Sequence, residues 1–196
     1  MLPLLPGILG FLLYLIYDIN SFTRQNRIMG SFFTVGSVLI ALSTVWMLRD
    51  AWHAGAIAGF WDFLLLTAAV LAFAALIYAL FFALPFDDTY VSPENGRTVC
   101  DTGVYALCRH PGILCFFALY LFLGLASLPH PMICGGMLLS ALNTAYAAFQ
   151  DRITFPRTFC DYDGYRHRVP FLIPTKDSIR TAGRTLPRLH GKKESK

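Results

Sequence analysis

The run FWDFLLLTAAVLAFAALIYALFFAL at positions 60–84 holds one charged side chain, Asp62, close to its start. A bilayer core about 30 Å thick takes about 20 apolar helical residues to cross, so this run has the length and composition of a transmembrane helix. Four further apolar runs flank it, at 2–17, 28–48, 112–128 and 132–150. The first is short and carries Pro3 and Pro6 near its start, where a helix tolerates proline. A re-entrant or interfacial helix is the alternative there. Only Pro129-His130-Pro131 separates the last two runs, which predicts an antiparallel helical hairpin. The expected fold is an all-α polytopic membrane helix bundle of about five transmembrane helices, ending in that hairpin and an interfacial cytoplasmic tail. Residues 1–174 are expected to form a single membrane-integral domain, with 86–174 as its catalytic-like part. Residues 175–196 are expected to be a basic tail, disordered or loosely bound to the membrane.

Composition supports this reading. Hydrophobic residues make up 56% of the 196 and charged residues only 14%, against about a quarter charged in ordinary soluble domains. The charges are unevenly placed. From Asp151 onward lie eleven of the sixteen Lys and Arg residues and five of the twelve acids. A basic tail behind membrane spans points to anionic membrane lipids and not to nucleic acid. Arg24, Arg27, Arg97, Arg109 and the tail fall on one side of the predicted spans, and only Arg49 falls on the other. Basic residues mark the cytoplasmic side, so the N-terminus is expected outside and the C-terminus in the cytoplasm. The first 17 residues contain no Lys or Arg, so the segment is expected to be retained, not cleaved as a signal peptide. The five cysteines are odd in number and form no CxxC pair, so neither a disulfide framework nor a metal site is expected.

Three polar clusters interrupt the apolar pattern. Gly103-Val104-Tyr105-Ala106-Leu107-Cys108-Arg109-His110-Pro111 precedes the fourth run. Proline suits the first turn of a helix, which sets Arg109 and His110 at a helix start suited to a carboxylate. Equally, Arg109 can be an interfacial orientation signal. Asn143, Tyr146 and Gln150 share one helical face ahead of Asp151-Arg152, either bonding to neighbouring helices or lining a pocket. The third cluster runs from Phe159 to Pro174. In it Tyr162 and Tyr165 share a face if helical, and Val169 to Pro174 is an apolar patch suited to the membrane surface. Turns are expected at Asp87-Asp88, Ser92-Pro93 and Asn95-Gly96.

In this order the clusters resemble the isoprenylcysteine carboxyl methyltransferase family and the related phospholipid methyltransferases. The family's Gly-x-Tyr, Arg-His-Pro, Tyr-x-x-Tyr, Val-Pro and Ile-Pro elements match Gly103, Tyr105, Arg109, His110, Pro111, Tyr162, Tyr165, Val169, Pro170, Ile173 and Pro174. The resemblance covers roughly 103–174. Departures are Ile113 for a tyrosine, Cys115 for a glycine, Asp151 for a glutamate, and Cys160 for a glycine followed by a spacer one residue short.

The resemblance implies S-adenosyl-L-methionine as cofactor and a lipid-like or hydrophobic small-molecule acceptor at the cytoplasmic face. Cofactor-binding residues would be Gly103, Tyr105, Arg109, His110, Pro111, Tyr162 and Tyr165; Arg109, Asp151 and Arg152 would serve catalysis. Two alternatives accompany it. A sterol-type, NADPH-dependent membrane reductase is similar in its last helices and its closing Tyr…Val-Pro run. A non-catalytic membrane scaffold descended from the methyltransferases is favoured by Ile113 and Cys115.

Overall fold

The structure, a computed structural model, describes residues 2–23, 26–83 and 97–190, the last five by backbone alone. Arg24 and the turns expected between 87 and 96 lie outside the described residues. In chain order the helices are α1 (Leu4–Phe22), α2 (Arg27–Gly30), α3 (Phe32–His53), α4 (Phe60–Ile77), α5 (Val104–Leu107), α6 (Pro111–Ala126), α7 (Met132–Phe149), α8 (Phe155–Thr158), α9 (Tyr162–Arg168) and α10 (Lys176–His190). Wider π-helical turns extend α4 over Tyr78–Phe82 and α7 over Gln150–Thr154. The fold is an all-α polytopic membrane helix bundle, with no strand among the described residues.

Four stretches are long and apolar enough to cross a membrane: Leu4–Phe22, Arg27–His53, Phe60–Phe82 and Met132–Thr158. The chain is thus a multi-pass integral membrane protein. Helix α6 is apolar but only 16 residues long, about 24 Å at 1.5 Å per residue. The first span is longer than its apolar run suggested. It continues past Tyr17 because Asp18 and Asn20 are buried and hydrogen-bonded, and so do not end the helix.

The described residues group into two compact units, one of Met1–Phe73 and Phe116–Thr154, the other of Ala74–Cys115 and Phe155–Lys196. In the first unit the usual residue pattern is inverted. Leu9, Leu12, Ile16, Val38, Leu42, Val45, Val70 and Leu71 are exposed, whereas Gly7, Gly10, Gly36, Ser43, Ala51 and Ala69 are buried. Lipid is as apolar as leucine, so helices in a bilayer associate through close backbone packing and hydrogen bonds, which small and polar residues allow. A Cβ on Gly10 would come within 2.7 Å of the Gly36 carbonyl oxygen, and the converse holds for Gly36. That contact sets the α1–α3 crossing. Ser43, fully buried, donates to the Pro3 carbonyl at 2.6 Å, and Thr44 bonds to the Tyr120 hydroxyl. The predicted hairpin is present: a Cβ on Gly136 would lie 3.0 Å from Tyr120, and one on Gly124 would strike Ile133.

The second unit corrects one expectation. The stretch after Thr175 is not disordered; it forms α10 as far as His190. Its start is capped reciprocally, with Thr175 N–H donating to Ser178 Oγ and Ser178 N–H to Thr175 Oγ1, at 2.9 and 3.2 Å. Its Ser178 and Ala182 are buried. Reading the tail by charge alone missed both features.

Candidate functional site

The second unit brings together every cofactor-binding residue expected from the sequence. Gly103 stands before α5 with φ +60° and ψ −131°, a backbone conformation that a Cβ disfavours. Its N–H donates to Thr185 Oγ1 of α10 at 2.9 Å. Two residues on, the Tyr105 hydroxyl donates to the Ala79 carbonyl at 2.8 Å. Ala79 lies in the closing π-helical turn, where carbonyls at a helix end are left for outside donors. The Tyr105 carbonyl in turn accepts the Tyr165 hydroxyl at 2.7 Å.

Arg109 holds the tail in place. Its Nη1 donates to the Arg166 and Val169 carbonyls, 57 and 60 residues away, at 2.8 and 2.7 Å. Its backbone N–H donates to the Pro170 carbonyl at 2.9 Å. The Arg166 and Val169 carbonyls close α9, and a guanidinium there satisfies orphan acceptors and opposes the negative end of the helix dipole. The same guanidinium carbon lies 5.7 Å from the Phe171 ring centroid, within cation–π range. Buried His110 stacks on Phe155, with centroids 5.7 Å apart and 14° between planes, and meets Phe171 edge-on at 4.9 Å. Buried Pro111 begins α6.

Tyr162 and Tyr165, 2% and 3% exposed, pack with Val169, Val99, Phe155 and Phe159 into a small aromatic core. Burial pushes the Tyr165 hydroxyl well above the usual phenol range, so it acts as a hydrogen-bond donor and not as a base. Burial likewise pushes the Cys108 thiol up to about 11, which leaves it protonated and poorly nucleophilic at neutral pH. Further stitches tie the residues leading into Gly103 to the same tail. Cys160 N–H donates to the Arg97 carbonyl at 3.0 Å, Val99 N–H to Asp161 Oδ1 at 2.9 Å, and Arg168 meets Asp101 at 3.3 Å.

The two catalytic candidates of the π-helical stretch belong to the other unit, where Asp151 is buried and Arg152 exposed. That unit also holds a polar cluster which the sequence reading passed over. Asp18, 3% exposed, accepts a hydrogen bond from the Thr154 hydroxyl at 3.4 Å with Tyr146 and Gln150 close by, and Gln150 donates to the Tyr146 hydroxyl at 2.9 Å. The signal was present, because an acid at the end of an apolar run in a membrane protein faces protein and not lipid. Counting Asp18 as the end of the run obscured it. Phe155 and Phe171, which sandwich His110, were also missed; nothing in their spacing distinguishes them from interfacial aromatics. Among the described residues no group of three His, Cys, Asp or Glu converges as a metal site would.

Fold and site together define an all-α, multi-pass membrane protein in which an Arg-His-Pro helix start is latched to a folded-over aromatic tail. Among known proteins the chain is similar to the nickel-cobalt-cadmium resistance protein NccN of Alcaligenes xylosoxydans xylosoxydans, 29% identical over 170 residues, 83% of this chain and 71% of that protein. No family model matches the chain. No solved structure matches it.

Proposed function

We propose that this protein transfers a methyl group from S-adenosyl-L-methionine to a lipid-like or hydrophobic acceptor at the cytoplasmic membrane face, as the isoprenylcysteine carboxyl methyltransferases it resembles do. One observation carries the reading. The two motifs that define the resemblance, Gly103 to Pro111 and Tyr162 to Pro170, interlock through Arg109 and Tyr165 although far apart in sequence. Two unrelated interfacial anchors have no reason to bond to each other's main chain.

The residues present fit the cofactor in kind. Arg109 and His110 are cationic or polar partners for a carboxylate, and the partly exposed Phe155, Phe159 and Phe171 offer aromatic faces to a sulfonium or a purine. The cofactor supplies an electrophilic methyl group, and the protein's task is to orient acceptor and donor and exclude water. A carboxylate acceptor is already ionised near neutral pH and needs no base. In this reading Tyr105, Tyr162 and Tyr165 hold the tail as a wall, and Pro111 and Gly103 set the backbone. The N-terminus faces outside and the C-terminus the cytoplasm, in keeping with the distribution of basic residues.

Calorimetry on the purified protein tests this directly. S-adenosyl-L-methionine should bind and NADPH should not; binding of NADPH alone would favour the reductase, and binding of neither the scaffold. Incubating native membranes with methyl-labelled cofactor should then label a lipid-soluble product. The similar protein is named for resistance to nickel, cobalt and cadmium. Carried to this chain, that name sets methyl transfer in a metal-resistant cell, which growth of an expressing host in graded metal would check.

A further inference from the structure

We propose that α10 is a membrane-surface helix whose cationic stripe binds anionic lipid headgroups of the protein's own bilayer, and so ties the Gly103–Pro111 stretch to that surface. The inference stands apart from methyl transfer and holds for a scaffold as well.

The helix presents two opposed faces. On one, Ser178 and Ala182 are each 5% exposed, and Thr185 takes the Gly103 N–H. Their spacing of four and three makes a single stripe, and it packs toward α5. On the other, Lys176, Arg180 and Arg184 recur every fourth residue and are all exposed. Between these faces Ile179 is 55% exposed, and just upstream Ile173 is 81% exposed.

Charge complementarity selects the partner. Three cations in register, flanked by unburied isoleucine, have the composition of an in-plane helix at an anionic leaflet, with aliphatic groups dipping below the headgroups. A nucleic acid would leave both isoleucines in water. The chain already lives in a bilayer, so the surface is at hand without a separate partner. The reciprocal Thr175–Ser178 cap starts the helix without outside help, which leaves the cations free to face lipid. Because α10 also receives the Gly103 N–H, whatever holds α10 bears on the segment that leads to Tyr105 and Arg109.

The test uses the full chain in lipid nanodiscs made with phosphatidylcholine alone or with added phosphatidylglycerol. Amide hydrogen exchange over 176–185 should slow several-fold in the anionic discs at low salt, and the difference should vanish at high salt. Replacing all three cations, in a Lys176→Gln, Arg180→Gln, Arg184→Gln variant, should erase the difference. Arg180→Lys with Arg184→Lys should keep it, which separates loss of charge from loss of fold. Equal exchange of the unmodified protein in both discs overturns the proposal and needs no variant. So does protection that appears only when an acidic protein is added.

Discussion

Arg109 shows how one side chain can be read in two ways until its partners are known. In sequence it is a cation before a helix, as suited to a ligand carboxylate as to a headgroup. In the structure its Nη1 closes α9 through two backbone carbonyls. Arg109→Ala should therefore lower thermal stability of the second unit and expose 155–174 to protease. Two charge-assisted hydrogen bonds are lost, a cost of about 2–4 kcal/mol. Unchanged nicking would remove the clamp. Tyr165→Phe is the gentler probe, deleting only the hydroxyl that reaches the Tyr105 carbonyl. Its expected cost is about 1–2 kcal/mol by chemical unfolding, with the aromatic packing kept. The tyrosine pair was legible as a shared helical face, but the carbonyl that Tyr165 would meet was not.

At the scale of elements, two contacts have sharp consequences. Gly36→Leu places a side chain where the Gly10 carbonyl already sits 2.7 Å from any Cβ. It should separate α1 from α3 and sharply reduce the yield of folded protein in detergent, whereas Gly30→Leu, with open space around it, should not. Equal yields would mean that the glycine crossing is incidental. Asp18→Leu should destabilise the first unit by about 1–3 kcal/mol, because Thr154 loses its acceptor and the polar groups of Tyr146 and Gln150 lose a polar neighbour in a buried setting. A melting temperature equal to that of the parent would count against the cluster as a structural tie. Helix α10 is the element that charge counting concealed. Its alternation of buried small residues with exposed cations was readable as an amphipathic pattern, but eleven cations from Asp151 onward drew attention to charge and away from spacing.

For the whole molecule, the proposed orientation places Gly55, between α3 and α4, outside and Lys196 in the cytoplasm. Gly55→Cys should react with an impermeant maleimide added to intact cells, and a tag after Lys196 should be reached only after permeabilisation. Labelling of both from the same side would overturn the topology. What the sequence alone determined is the class of protein. Runs of about 20 apolar residues have few solutions in water, and in lipid the backbone must bond to itself, which leaves helices. It also marked the residues of the two motifs. Only the tertiary structure decided what those residues touch. A hydrogen bond from Arg109 to the Val169 carbonyl depends on where the chain returns, and neither local spacing nor composition carries that distance.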